Sequence, residues 1–229
     1  MANIGKLTEK YDKFVIFDTE TTGLNFARDE IIEFSAVVLE KQGTQVVVSE
    51  EYDNLVTLSP GNTVPEKITQ LTGISTLDIQ QRGIPKAQVC TDIARMVSGN
   101  TLLLAYNAHF DLSFLFYLLL RNGDPTILKG KDKLDLLTVY KDRRPFPHKL
   151  CNAIEAYKLS GKVVNSHRAI DDVLATVAVM EAMVSERDDL LQYINLFGYN
   201  PKYGIDGKPI GSVTYKPQPY ESKEPLYLR

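Results

Sequence analysis

The stretch Phe14-Val15-Ile16-Phe17-Asp18-Thr19-Glu20-Thr21-Thr22-Gly23-Leu24 decides how this chain is read. It starts as a run of β-formers and ends in two carboxylates, three threonines and a glycine. Side chains on a strand alternate between faces, so Asp18 and Glu20 point the same way, one pleat apart. Two carboxylates held side by side repel each other, and one of them tends to stay protonated. A divalent cation removes that conflict, and oxygen ligands of this kind suit Mg²⁺ or Mn²⁺. The function therefore turns on whether the rest of the chain brings further ligands to this strand end.

At 229 residues the chain can bury the core of one domain and still carry an appendage. Its 44% hydrophobic and 24% charged residues are the balance of an ordinary soluble globular protein. A net charge of −3 argues against a sequence-independent electrostatic coat for DNA, and for weak affinity toward nucleic acid alone. It leaves room for a nucleic-acid enzyme, because metal ions neutralise phosphates locally. Cys90 and Cys151 stand in neither a CxxC pair nor a zinc spacing, and are expected to be reduced thiols of a cytoplasmic protein. Residues 1–13 are polar and lack the apolar centre of a signal peptide. Residues 101–120 have the length and apolarity of a membrane span, yet Asn107, His109 and Asp111 lie near the middle. A central aspartate costs about 2.5 to 3.5 kcal/mol on insertion scales, so this segment is read as a buried strand entering a helix, with no membrane association.

Strands are expected over residues 13–19, 30–40 and 45–58, joined by short turns as an antiparallel meander. Residues 64–71 read as a short helix with Pro65 near its start and Gly73 near its end. Residues 86–97 carry apolar side chains at helical spacing. Residues 101–106, apolar almost throughout, should form a central strand covered on both faces, passing into a helix that runs to about residue 120. Residues 133–139 read as a weaker fifth strand or the start of another helix, and 149–159 as a helix. A long, largely buried helix is expected over 168–186, with Ser166 as its N-cap. After Asn195 the composition shifts to Gly, Pro, Tyr and Lys. The chain is thus divided into a domain over residues 1–190 and an extension over 191–229. Asp206-Gly207 marks a hairpin in that extension, which is read as a surface tail or a docking segment for a partner.

The acidic residues at element ends are the candidates for the missing ligands. Asp111 lies where the fourth strand becomes a helix, and would stand beside Asp18 and Glu20 if the first and fourth strands are neighbours. Asp172 follows His167 at the start of the last long helix. Asp171 is rotated by about 100° from Asp172, so one of the two faces a given site. Any one of these carboxylates alone reads as a cap or a surface charge.

Together, Asp18-Thr19-Glu20-Thr21-Thr22-Gly23-Leu24, Tyr106-Asn107-Ala108-His109-Phe110-Asp111, and His167 with Asp172 resemble the three motifs of the DEDDh (DnaQ-like) exonuclease family, in the family's order. That family includes the proofreading subunit of bacterial DNA polymerase III. The resemblance covers about residues 13–185, with Tyr106 standing where many members carry histidine. It implies an α/β, ribonuclease H-like fold: a central mixed five-stranded sheet flanked by helices. It implies two Mg²⁺ or Mn²⁺ ions held by Asp18, Glu20, Asp111 and Asp172, with Asp18 bridging them and His167 as general base. Thr21, Thr22 and Leu24 would meet the terminal nucleotide, with Thr72 and Asn107 at or behind the pocket. His109 and His148 are read as surface or supporting residues, since the general-base role is taken.

The expected activity is 3′→5′ hydrolysis at single-stranded DNA 3′ ends, releasing nucleoside 5′-monophosphates in proofreading or repair with a DNA polymerase as partner. An exoribonuclease of the same fold is the nearest alternative, because the motifs do not report on a 2′-hydroxyl. A non-catalytic replication or repair subunit is a third reading, opposed by the filling of all five catalytic positions. A zinc hydrolase is disfavoured by scarce, unclustered His and Cys.

Overall fold

A strand with apolar side chains on both faces must be covered on both, and this is how β1 (Lys13–Thr21) is placed. In the computed structural model, which describes residues 2–163, 166–202, 212–221 and 223–229, β1 is the middle strand of a five-stranded sheet. The strand order is β3-β2-β1-β4-β5, with β2 (Ile31–Gln42), β3 (Gln45–Leu55), β4 (Thr101–Ala105) and β5 (Asp132–Asp135). The β1–β2 and β2–β3 pairs are antiparallel, and the β1–β4 and β4–β5 pairs are parallel. The sheet is therefore mixed, as expected.

Alternation along β1 sorts the core into two layers. Phe14 and Ile16 pack with Leu102 and Leu104 of β4 under α5 (Leu136–Arg143), α6 (Leu150–Ala156) and α7 (Ala169–Glu186). Val15 and Phe17 pack with Leu103 and Ala105 under α3 (Lys86–Met96) and α4 (Ala108–Asn122). Carried two residues further, the same parity sends Asp18 and Glu20 toward α7 and Thr19 toward α4.

Several local expectations meet their physical limits. The third strand stops at Leu55, and Val56 donates its N–H to Ile32 O (2.9 Å) while forming a single bridge to Ile84. Between α1 (Glu66–Thr72) and α3 lies an unanticipated helix, α2 (Thr76–Arg82), started by a capping box between Ser75 and Asp78. Residues 133–139 are both things at once: β5 ends at Asp135, whose carboxylate caps α5 by accepting from Leu137 N and Thr138 N. Ser166 is not the cap of α7. Arg168 holds that position without a side-chain cap, and the Ser166 hydroxyl donates to Asp171 instead. Among the described residues, no helix is long and apolar enough to cross a membrane.

The expected hairpin centres on residues 203–211, outside the described residues. The flanking parts of the extension lie against the domain. β6 (Leu196–Tyr199) and β7 (Thr214–Pro217) form a parallel pair. Asn195 ties it to the edge of β5 by donating from its N–H to Lys133 O (2.8 Å) and accepting from Lys133 N (2.9 Å). Gly198 passes so close to Gln218 that a Cβ there would lie 1.9 Å from its Oε1. The fully buried carboxylate of Asp142 accepts from Gln218 Nε2 and Leu226 N, and faces Arg229 at 3.6 Å. Asp142→Ala removes the acceptor of the buried Leu226 N–H, one of the two acceptors of Gln218 Nε2, and the carboxylate facing Arg229. It is expected to destabilise the chain by about 3 kcal/mol in urea unfolding. Hydrogen exchange should accelerate over 212–229 before it does in β1 and β2.

Candidate active site

The site forms where β1 outruns its parallel neighbour β4, at the carboxyl end of both strands. Thr19 faces α4, and its N–H (3.0 Å) and hydroxyl (2.7 Å) both donate to Asp111 Oδ1. Asp111 is in the first turn of α4 and is buried. That helix starts at Asn107, whose backbone is left-handed at φ 68°, and the Asn107 and Ala108 N–H groups both donate to Asp135 Oδ1 at 3.0 Å. Asp135 thus anchors the starts of α4 and α5 together, a role that its sequence position at a strand–helix junction signals only through the cap.

On the opposite face, Asp18 and Glu20 meet Asp172 from the first turn of α7, and these three carboxylates offer oxygens that all lie within 4.8 Å of one another. Asp111 stands beside Asp18 but outside that tight group, with one oxygen committed to Thr19. The sequence expectation of a four-carboxylate set thus resolves into a trio plus a tethered neighbour. Asp171 points away and is held by Ser166.

Burial and mutual repulsion govern the charge here. Asp18 is pushed well above the usual carboxylate range by burial, then by Asp111, Asp172 and Glu20. Glu20 is pushed up to about 8, by burial first and then by Asp172, Glu33 and Asp111, with Arg168 opposing. Asp111 is pushed up to about 7 because burial outweighs the Thr19 hydrogen bonds. Carboxylates that crowd one another and carry only oxygen donors are the chemistry of a hard divalent cation site, so the residues fit such an ion.

The third motif is fixed by a residue that sequence reasoning missed. Glu33 lies on β2 directly opposite Glu20 and is 0% exposed. Its Oε1 accepts from Arg168 Nε (2.9 Å) and Nη2, and its Oε2 accepts from Ala169 N at 2.8 Å. A strand carboxylate therefore serves as the N-terminal partner of α7. His167, exposed and with a left-handed backbone at φ 58°, immediately precedes the clamped pair. The signal was a lone acid inside the buried run Ile31-Ile32-Glu33-Phe34, which demands a donor.

Leu24 and Asn107 line one open cleft of about 450 Å³ together with Asn25, Phe26, His109, Phe110 and Ser113. Leu24 is 84% exposed there. Thr21 and Thr22 shape the loop that carries it: Thr21 donates to Gly23 O (2.6 Å), and the Thr22 hydroxyl accepts from Glu30 N (2.9 Å). Gly23 is required because a Cβ would sit 2.4 Å from the Asp29 carboxylate. Thr72 is buried and closes α1, donating to Ile68 O and accepting from Ile74 N. His109 sits in the cleft wall, bonded to Tyr215 OH at 2.7 Å, and His148 is buried against Arg144 O at 3.0 Å.

A mixed five-stranded sheet between helices, with carboxylates gathered at the end of its central strand, is a ribonuclease H-like fold. Residues 15–180 match the profile of the exonuclease family RNase_T, and the chain belongs to that family. It is 31% identical over 201 residues to the PolC-type DNA polymerase III of Clostridium perfringens, covering 87% of this chain and 13% of that protein. It is 29% identical over 174 residues to the epsilon subunit of DNA polymerase III from Treponema pallidum, covering 75% of this chain and 76% of that subunit. The fold matches that of E. coli exonuclease I in complex with a dA16 oligonucleotide, with a TM-score of 0.69 at 22% identity over 80% of this chain and 42% of that one.

Raised carboxylate pKa values mean that the metal-free folded state holds protons the unfolded state has released. Stability then falls as pH rises from the ordinary carboxylate value of 4.5 to about 8, the value of Glu20. In EDTA the thermal midpoint is expected to drop across that window. The slope should flatten in Asp18→Asn and on addition of Mg²⁺. Glu33→Gln, which weakens the clamp on Arg168 and Ala169, should lower stability by about 2 kcal/mol in urea unfolding at pH 7.

Proposed function

We propose that this chain is a 3′→5′ exonuclease that trims single-stranded DNA ends and releases nucleoside 5′-monophosphates. The observation that carries this reading is the Asp18–Glu20–Asp172 trio, with oxygens within 4.8 Å and Asp111 pinned beside it by Thr19. A cleft large enough for one nucleotide runs past Leu24 and Asn107. The four carboxylates would hold two Mg²⁺ or Mn²⁺ ions, which supply charge stabilisation for both the attacking and the leaving oxygen of the phosphodiester.

The chain's own residues do the rest. His167 takes the proton from the attacking water, a task suited to an imidazole that is open to solvent. The Glu33–Arg168 clamp keeps His167 and Asp172 in one register at the start of α7. Leu24 lays exposed apolar surface against the terminal base, and Asn107 and Phe110 face it across the cleft. Thr21, Thr22 and Thr72 act through the loops they hold closed. The polymerase III relatives support a role beside a DNA polymerase in proofreading. The two free thiols support a reducing, cytoplasmic setting.

Purified protein with Mg²⁺ or Mn²⁺ should release mononucleotides from labelled single-stranded DNA, faster than from matched RNA, and EDTA should stop it. Asp18→Ala and Asp172→Ala should abolish turnover with the fold retained by circular dichroism. His167→Ala should slow it by about 10²- to 10⁴-fold. Asp171→Ala should stay near wild type. Faster release from RNA would make the enzyme an exoribonuclease, and no release from either would make the chain a binding subunit.

A further inference from the structure

Outside the cleft, the described residues include two aromatic side chains that are largely exposed, Phe146 at 62% and Tyr220 at 41%, and they touch each other. Their ring centroids are 5.1 Å apart at 63°. Buried His148 supports both, stacked near-parallel on Tyr220 (6.3 Å, 19°) and edge-on to Phe146 (5.8 Å, 82°). The pair comes from distant parts of the sequence: Phe146 precedes α6, while Tyr220 follows β7 in the C-terminal extension.

Two structural ties join this pair to the cleft. Tyr106, the residue before Asn107, donates its hydroxyl to His148 O at 2.8 Å. From Tyr215, bonded to the cleft-lining His109, the chain needs five residues to reach Tyr220. Five extended residues span at most about 18 Å. That is no more than about five stacked nucleotides at 3.4 Å per step. The surroundings are cationic as well as aromatic. Lys149 is exposed beside His148, and the charge of Lys141 is felt at both His148 and Asp135. Among the described residues neither lysine has a carboxylate within salt-bridge distance; Lys149 is exposed, and Lys141 is partly buried.

We propose that Phe146 and Tyr220 form a stacking platform for bases of a DNA single strand a few nucleotides upstream of the 3′ end held in the cleft, with Lys141 and Lys149 meeting the backbone between them. Base–aromatic stacking tolerates any sequence and works without a strongly basic surface, which suits a chain of net charge −3. The extension thereby becomes part of the substrate path. The proposal rests on the exonuclease reading for its strand polarity, and its test is independent of turnover.

The full chain is titrated in EDTA against fluorescein-labelled oligothymidylates of two and eight nucleotides, followed by anisotropy. The wild type is expected to bind the octamer at least tenfold more tightly than the dimer. That ratio should collapse toward one in the double variant Phe146→Ala/Tyr220→Ala and in each single variant partially, while Phe146→Tyr and Tyr220→Phe retain it. Circular dichroism checks the fold, and the aromatic replacements keep the test informative if an alanine variant fails to fold. An unchanged ratio in the alanine variants, or a wild type blind to length, overturns the platform. A wild-type dimer in sedimentation that the double variant converts to monomer also overturns it, because the pair is then a contact between copies. Length-dependent binding without any mononucleotide release would sink the exonuclease reading and leave the platform standing.

Discussion

Everything in this molecule is arranged around the repulsion of carboxylates brought together at the end of β1. Asp18, Glu20 and Asp172 cannot all be charged at such short range and partial burial without a cation among them, and Asp111 adds to the conflict from the other face of the strand. Keeping them there takes a rigid frame. β1 lies between an antiparallel and a parallel neighbour, and apolar layers cover both of its faces. Packing of those layers offsets the electrostatic strain that the site imposes on the fold.

The acidic residues fall into two groups by what faces them. Glu33, Asp135 and Asp142 each gather two or more donors, and each fixes an element: the start of α7, the starts of α4 and α5, and the C-terminal extension. A buried carboxylate needs such donors, and meeting that need holds it in place. Asp18 and Glu20 face chiefly other acids, a setting that suits a divalent cation. Anchoring acids therefore surround the crowded ones, and the anchors set where the crowded ones stand.

The extension changes how the cleft is bounded. Tyr215 packs on His109 in the cleft wall, and Gln218 is buried against Thr138 and Asp142. Residues that read as a surface tail thus brace His109 in the cleft wall and carry Tyr220 to Phe146. Their Gly- and Pro-rich composition suits close backbone approach, as at Gly198, and gave no periodicity from which the docking could be read.

The sequence by itself determined the strand that carries the site, its parity, and the order in which Asp18, Glu20, Asp111, His167 and Asp172 arrive, because alternation and helix periodicity are local properties. Helix periodicity allowed only one of Asp171 and Asp172 to face a given site, and the family resemblance chose Asp172. The tertiary structure alone decided which acids are anchors. Glu33 was missed in the sequence because its partners, Arg168 and Ala169, lie 135 and 136 residues away. The expected Ser166 cap gave way to it because a buried carboxylate must find donors, whereas an exposed hydroxyl has water. Partner choice across the chain is a matter of burial, and burial is set only when the layers close.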